Sequence, residues 1–222
     1  MINLLRKDFI LLKKSRGFII AVLMVLFGAF MWQKNNFYYL WSILMSIYFA
    51  MGYINSYDHK YNSEKIFNSL SLKRSTIVIA KYVSVLVFLA FAIGLSIAAM
   101  YLLRLLPAAE LTRIINLSEI SVVIILVAVY ISAYLPLYFK LGYMGSRWAN
   151  FAALILMFSF SGIISSSDLA TQNFVARYLG VFVNAVSGNT GLNRGLIIVL
   201  LAVLILLIST STSIQIYQKK EF

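Results

Sequence analysis

Apolar residues along this chain neither alternate nor settle into one helical stripe. They come in runs that are apolar on every side, separated by short polar punctuation. Six runs can be drawn: Gly17–Trp32, Phe37–Ile54, Thr76–Leu103, Ile120–Phe139, Trp148–Ile164 and Gly195–Ile214. A helix apolar all round belongs in a core or in lipid, and runs near or above 18 residues with almost no charge mark membrane-crossing helices. The pattern predicts an all-α integral membrane protein, one transmembrane domain over 1–222 with six spans. The third run is overlong taken whole. Lys81 and Arg104 bracket its apolar part, about 33 Å at about 1.5 Å per residue, which is one hydrocarbon core with slight tilt. Lys81 and the turn before it are therefore expected to protrude or snorkel.

The polar stretches carry patterns of their own. Residues 1–16, "MINLLRKDFILLKKSR", place Ile2, Leu5, Phe9 and Leu12 at helical spacing, with Arg6, Lys7, Lys13 and Lys14 on other faces. This reads either as a helix lying in the cytosolic interface or as a charged flank that orients the first span. The longest polar stretch inside the chain, residues 55–75 between spans two and three, is predicted to hold a short helix. Asn62 or Ser63 caps it, Glu64 sits in its first turn, and Ile66, Phe67 and Leu70 form an apolar edge. A plain connection would be shorter; an amphipathic helix there docks on membrane or on a partner. Residues 140–147 read as a short cytosolic turn with two glycines. Residues 165–194 are long for an outer loop, with Phe174, Tyr178 and Phe182 as a stripe, and read as an interfacial, re-entrant or bundle-covering segment. Ala90, Gly94 and Ala98 form a small-residue stripe on span three, for helix packing within the bundle or for self-association.

Composition sharpens this reading. Hydrophobic side chains make up 62% of the 222 residues and charged ones 12%, against about 45–50% and about a quarter in soluble domains; mean hydropathy is +0.89. The net charge of +12 is mostly a topology signal. With the N-terminus in the cytosol only Lys34, Arg104, Arg113, Arg177 and Arg194 fall outside, and the other 14 of 19 basic residues lie inside. That bias predicts N-in, C-in orientation, and the lack of cysteine with Lys-, Asn- and Ile-rich usage points to a bacterial plasma membrane. No basic soluble domain exists to bind nucleic acid. A charged amphipathic start without an A-x-A-like site argues against a cleaved signal peptide.

Catalytic chemistry is scarce. Without cysteine, and with His59 the single histidine, neither a thiolate nor a histidine metal cluster is expected. All seven acidic residues lie outside the six runs, whereas ion-coupled transporters keep an ionisable group at membrane depth. Intramembrane hydrolases need a base or metal ligand that one loop histidine does not supply. No G-x-x-x-x-G-K-[ST] loop occurs, so the chain is not expected to bind or hydrolyse ATP.

Three segments, "YDHK" (Tyr57–Lys60), "NSLSLKR" (Asn68–Arg74) and "IVIAKY" (Ile77–Tyr82), followed by "LPLYFKLGY" (Leu135–Tyr143), resemble the membrane subunits of ABC-2 type transporters, in particular the small six-span bacterial permeases that carry no ATPase domain. His59 departs from an acidic residue common there, and Ser71 from the usual turn proline. The resemblance implies a permease, not an enzyme, that pairs with a second copy or a sibling and with two cytosolic ABC ATPase subunits, which hold the ATP and magnesium. Residues 55–75 would be the coupling helix, with Ile66, Phe67 and Leu70 in apolar contact and Tyr57, Asp58, Glu64 and Lys65 around them. Ile2–Lys14, with Leu5, Arg6, Phe9, Leu12 and Lys13, would be the family's interfacial helix, and 165–194 its re-entrant element. The function expected is export of a hydrophobic or amphipathic substrate such as a peptide, drug or lipid. The alternative is a non-transporting sensor or immunity subunit that recruits a cytosolic protein. The sequence assigns no substrate-binding residues.

Overall fold

The computed structural model describes residues 2–14, 16–31, 36–61, 63, 73–104, 117–165 and 191–220. All of its described elements are helices: α1 (Ile2–Lys14), α2 (Arg16–Met31), α3 (Asn36–Lys60), α4 (Arg74–Arg104), α5 (Leu117–Ser165) and α6 (Gly191–Gln218). Among them three stretches are long and apolar enough to cross a membrane: Arg74–Leu102, Ile120–Ala152 and Leu196–Gln218. Gly17–Phe30 is a shorter apolar helix. The predicted segments at 64–70 and 166–190 lie outside the described residues.

The core is built where α3, α4 and α5 meet. Ile43, Ile47, Met51 and Ile54 recur at three- and four-residue steps, so they share one face of α3. Val78 and Val85 of α4 and Val127, Ile131 and Leu135 of α5 close against them, all buried. α2 packs along α3, and at Gly17 the approach is close enough that a Cβ would collide with the Tyr53 ring. Side chains on the outer faces of α2, α4 and α6, among them Phe30, Leu102 and Leu200, stay exposed, as lipid-facing positions would.

Several boundaries differ from the sequence reading. α3 does not stop at Ile54; it continues through Asp58 to Lys60, so the first part of the expected 55–75 loop is helix. Between expected spans four and five there is no loop over 140–147. Helix persists on both sides of a single break at Gly142, whose φ of 71° and ψ of −174° lie in a region essentially reserved for glycine. The chain reverses there. Tyr130 Oη donates to Asn150 Oδ1 at 2.6 Å, although twenty residues of straight helix would separate them by about 30 Å.

A second irregularity in α5 is repaired from outside. Pro136 has no N–H, so the Ser132 carbonyl four residues back loses its helical donor. Ser209 of α6 supplies one, its Oγ lying 3.0 Å from Ser132 O. With that proton committed, Ser209 accepts from Tyr82 Oη of α4 at 2.6 Å, and Tyr82 accepts from Ser213 Oγ at 2.8 Å. A relay of hydroxyls thus fastens α4, α5 and α6 together. Small hydroxyl residues serve this purpose in apolar bundles because water is not available to satisfy a freed carbonyl.

Candidate functional site: a charge cluster beside a tyrosine-lined cleft

α1 has 13 residues, a length at which a helix is marginal in water by itself. What holds it is packing and charge. Phe9 stacks on Phe88 of α4 at 6.3 Å between ring centres, Leu12 is buried, and Asp8 points inward. The expected stripe of Leu5, Phe9 and Leu12 is therefore only partly the inner face. Leu5 is half-buried, Phe9 is 41% exposed, and Arg6 and Lys13 face outward. The inner face is centred on Asp8, because α4 presents polar partners opposite it.

Those partners form a compact cluster. Lys81 of α4 lies 2.6 Å from Asp58 Oδ2 and 3.6 Å from Asp8 Oδ1, and donates to Asn55 Oδ1 at 3.3 Å. Lys7 lies 2.7 Å from Asp58 Oδ1 and 3.1 Å from Asp8 Oδ1. Ser84 Oγ, also of α4, donates to Asp8 Oδ2 at 2.9 Å. Two ammonium groups face two carboxylates, so the cluster is neutral, which is the condition for keeping charge inside a protein. Lys81 is only 5% exposed and Asp58 3%. The expectation that Lys81 snorkels outward is corrected: two carboxylates converge on it, and its long stem stays inside. Asp58 likewise turns into the bundle, where it binds Lys7 and Lys81, rather than standing at the rim of a docking surface. Burial alone would raise the Asp58 carboxyl, which lies beyond Ile54. The Lys81 and Lys7 ammonium groups outweigh it and hold the carboxyl below its ordinary value.

Asn55 carries the network onward, its Nδ2 donating to Tyr134 Oη of α5 at 2.7 Å. Tyr134 sits in a file of aromatic rings. Tyr130 stacks on Tyr134 at 5.8 Å, Tyr134 meets Tyr138 at 6.3 Å, and Phe139 meets Tyr217 of α6 at 5.2 Å. The four-residue spacing of the three tyrosines was the available signal for this file, and a lysine inside an apolar run was the signal for the cluster. Neither the file nor the cluster is among the sequence expectations, where Lys81 figures only as a snorkelling cation.

On the other side of Tyr134 a cleft of about 340 Å³ opens between α3 and the hairpin of α5. Tyr48, Tyr53, Tyr134 and Tyr143 line it, with Arg147 and Asn150 just past the Gly142 break. Gly52 also lines it, and a Cβ there would have nothing within 4 Å. Tyr143 is backed by His59, stacked at 5.1 Å.

Of the other positions singled out, Tyr57 is half-buried with its ring stacked on Tyr61 at 6.2 Å. Glu64, Lys65, Ile66, Phe67 and Leu70 lie outside the described residues. Ala90, Gly94 and Ala98 are all exposed in the single chain. No group of His, Cys, Asp or Glu suited to a metal ion occurs among the described residues.

Comparison with curated proteins and with solved structures returns no match. The family described as "ABC-2 family transporter protein" matches residues 3–218, nearly the whole chain, from the helix that carries Lys7 and Asp8 to the end of α6. The chain therefore belongs to the ABC-2 transporter family, as a membrane permease of a family that in general implies a partner ATP-binding subunit.

Proposed function

We propose that this permease is the membrane half of an ATP-driven exporter for a hydrophobic or amphipathic substrate, with six spans and both termini in the cytosol of a bacterial plasma membrane. Two copies, or one copy and a sibling, assemble with two cytosolic ABC ATPase subunits, and ATP and magnesium reside on those subunits. Residues 55–75 receive the push, with Ile66, Phe67 and Leu70 as the apolar contact and Glu64 and Lys65 at its rim.

The observation that best supports this reading is the clamp across the base of that segment. The chain leaves α3 at Lys60 and re-enters helix at Arg74. Asp58 lies just before the exit, and Lys81 lies two turns after the re-entry, 2.6 Å from it. A force applied between them cannot be absorbed by splaying α3 from α4 without breaking a buried ion pair. It is passed to α1 through Lys7 and Asp8, and to α6 through Arg74, whose guanidinium donates to the carbonyls of Gln218 and Lys220 at 2.8 and 3.0 Å. Four helices thus share one displacement, as ATPase-driven rocking requires.

Co-purification tests it. The full chain, expressed with the ATPase encoded nearest to it and captured in mild detergent, is expected to bring that ATPase down. An Ile66→Asp/Phe67→Asp variant that keeps the wild-type elution profile is expected to lose it. Capture of no ATPase by either protein would favour a recruitment or immunity subunit instead.

A further inference from the structure

The cleft between α3 and the α5 hairpin has a definite chemistry. Its walls are the rings of Tyr48, Tyr53, Tyr134 and Tyr143, flat surfaces suited to an apolar or aromatic body. Its volume of about 340 Å³ falls within the range of small-molecule pockets, about 300–1,000 Å³. Arg147 is the one charged residue lining it, and it makes no ion pair with any described carboxylate. The buried cations of this bundle have their partners in place, Lys81 with Asp8 and Asp58, whereas Arg147 is exposed at the mouth of the cleft with its guanidinium open to an incoming anion. Asn150 has its oxygen bonded to Tyr130, so what it has left to offer the cleft is its NH₂ donor.

We infer that this cleft is a binding site for a single-chain amphipathic anion, with a carboxylate or phosphate head held by Arg147 and the Asn150 amide and an apolar body laid against the tyrosines. A cation is disfavoured because a guanidinium stands at the site and no lining carboxylate offsets it. A neutral amphiphile would gain nothing from the guanidinium beyond what water already offers it. The site is built from both arms of the α5 hairpin, since Arg147 and Asn150 lie beyond Gly142 and Tyr134 before it. Tyr134 shares Asn55 with the charge cluster, so a change at the cluster bears directly on the floor of the cleft. The inference deepens the exporter reading, and it rests on that reading for the step from ligand to cargo.

The test is equilibrium binding of laurate and of dodecyl phosphate to the purified full-length permease in dodecyl maltoside. Dodecyltrimethylammonium and inorganic phosphate serve as the charge-reversed and headgroup-only arms. Both anionic amphiphiles are expected to bind saturably and at least about tenfold more tightly than the cationic one, with inorganic phosphate not binding. Arg147→Gln should weaken them about ten- to hundredfold, the loss of a charge-assisted contact, and Arg147→Lys should retain part of the affinity. Gly52→Phe fills open space on a helix, so it should keep the thermal midpoint at or above wild type while abolishing binding. Equal binding of both charges, binding within twofold of wild type in Arg147→Gln, or undiminished binding in Gly52→Phe would each overturn the assignment. Saturable binding of inorganic phosphate alone would assign a bare anion site and overturn it too. Because no ATPase or nucleotide is present, a negative result here leaves the co-purification result standing, and the reverse holds equally.

Discussion

Lys81 shows how much one residue is asked to do. Buried ion pairs are weak evidence of net stabilisation, yet removing one partner is costly because the other charges remain uncompensated. Lys81→Met leaves Asp8 and Asp58 near each other with only Lys7 between them. Its expected cost is about 3–5 kcal/mol in detergent unfolding, and the double variant Lys81→Met/Asp58→Asn should recover a good part of it. The acid dependence follows from the same contacts. Asp58 has a carboxyl depressed below the ordinary value of 3.8, so its contribution is fully present above that pH and is lost as pH falls through the lower folded value. The stability gap between wild type and Asp58→Asn should accordingly stay constant from neutrality down to about pH 4 and close only below it.

Among the elements, α5 departs furthest from regular helix, and it does so at two places for two reasons. At Gly142 the obstacle to substitution is conformational, because a Cβ there meets nothing within 4 Å. Gly142→Ala is expected to cost about 1–3 kcal/mol. Gly142→Asn should be no better, since asparagine tolerates the left-handed helical region and not the extended positive-φ region found here. At Pro136 the obstacle is a lost donor, and Ser209 is the remedy. Ser209→Ala should cost about 1–3 kcal/mol by leaving the Ser132 carbonyl unpaired. In a Pro136→Ala background, where the helix can supply its own N–H, the same substitution should cost markedly less. A double-mutant cycle on thermal or denaturant unfolding reads the difference.

For the whole molecule, the cluster, the cleft and the 55–75 segment all belong to the end that the basic residues assign to the cytosol. The chain contains no cysteine, so single cysteines report topology without background. A cysteine at Lys219 or Arg147 should react with a membrane-impermeant maleimide only after the cells are opened, and one at Lys34 should react in intact cells. Labelling of all three from outside would contradict the assignment and would place the proposed docking segment away from any ATPase.

Hydrophobic patterning alone determined that the chain is an all-helical membrane protein, because a run of some twenty apolar residues has few other stable homes. With the motifs from Tyr57 to Tyr143 it also pointed to the family, and a helix over the opening residues, now α1, was one of its two readings of that stretch. These are local or compositional properties, readable one segment at a time. What needed tertiary structure were pairings between distant positions: Asp8 and Asp58 with Lys81, Asn55 with Tyr134, Tyr130 with Asn150, Ser209 with Ser132. Asp58 looked like a surface carboxylate because it sits in the most polar stretch, and Lys81 looked like a snorkelling cation because it sits near a helix end. Each reading was sound for a lone helix. Neither survives packing, because a buried charge is decided by what stands opposite it across the bundle, and one sequence does not give the rotation of one helix against the next.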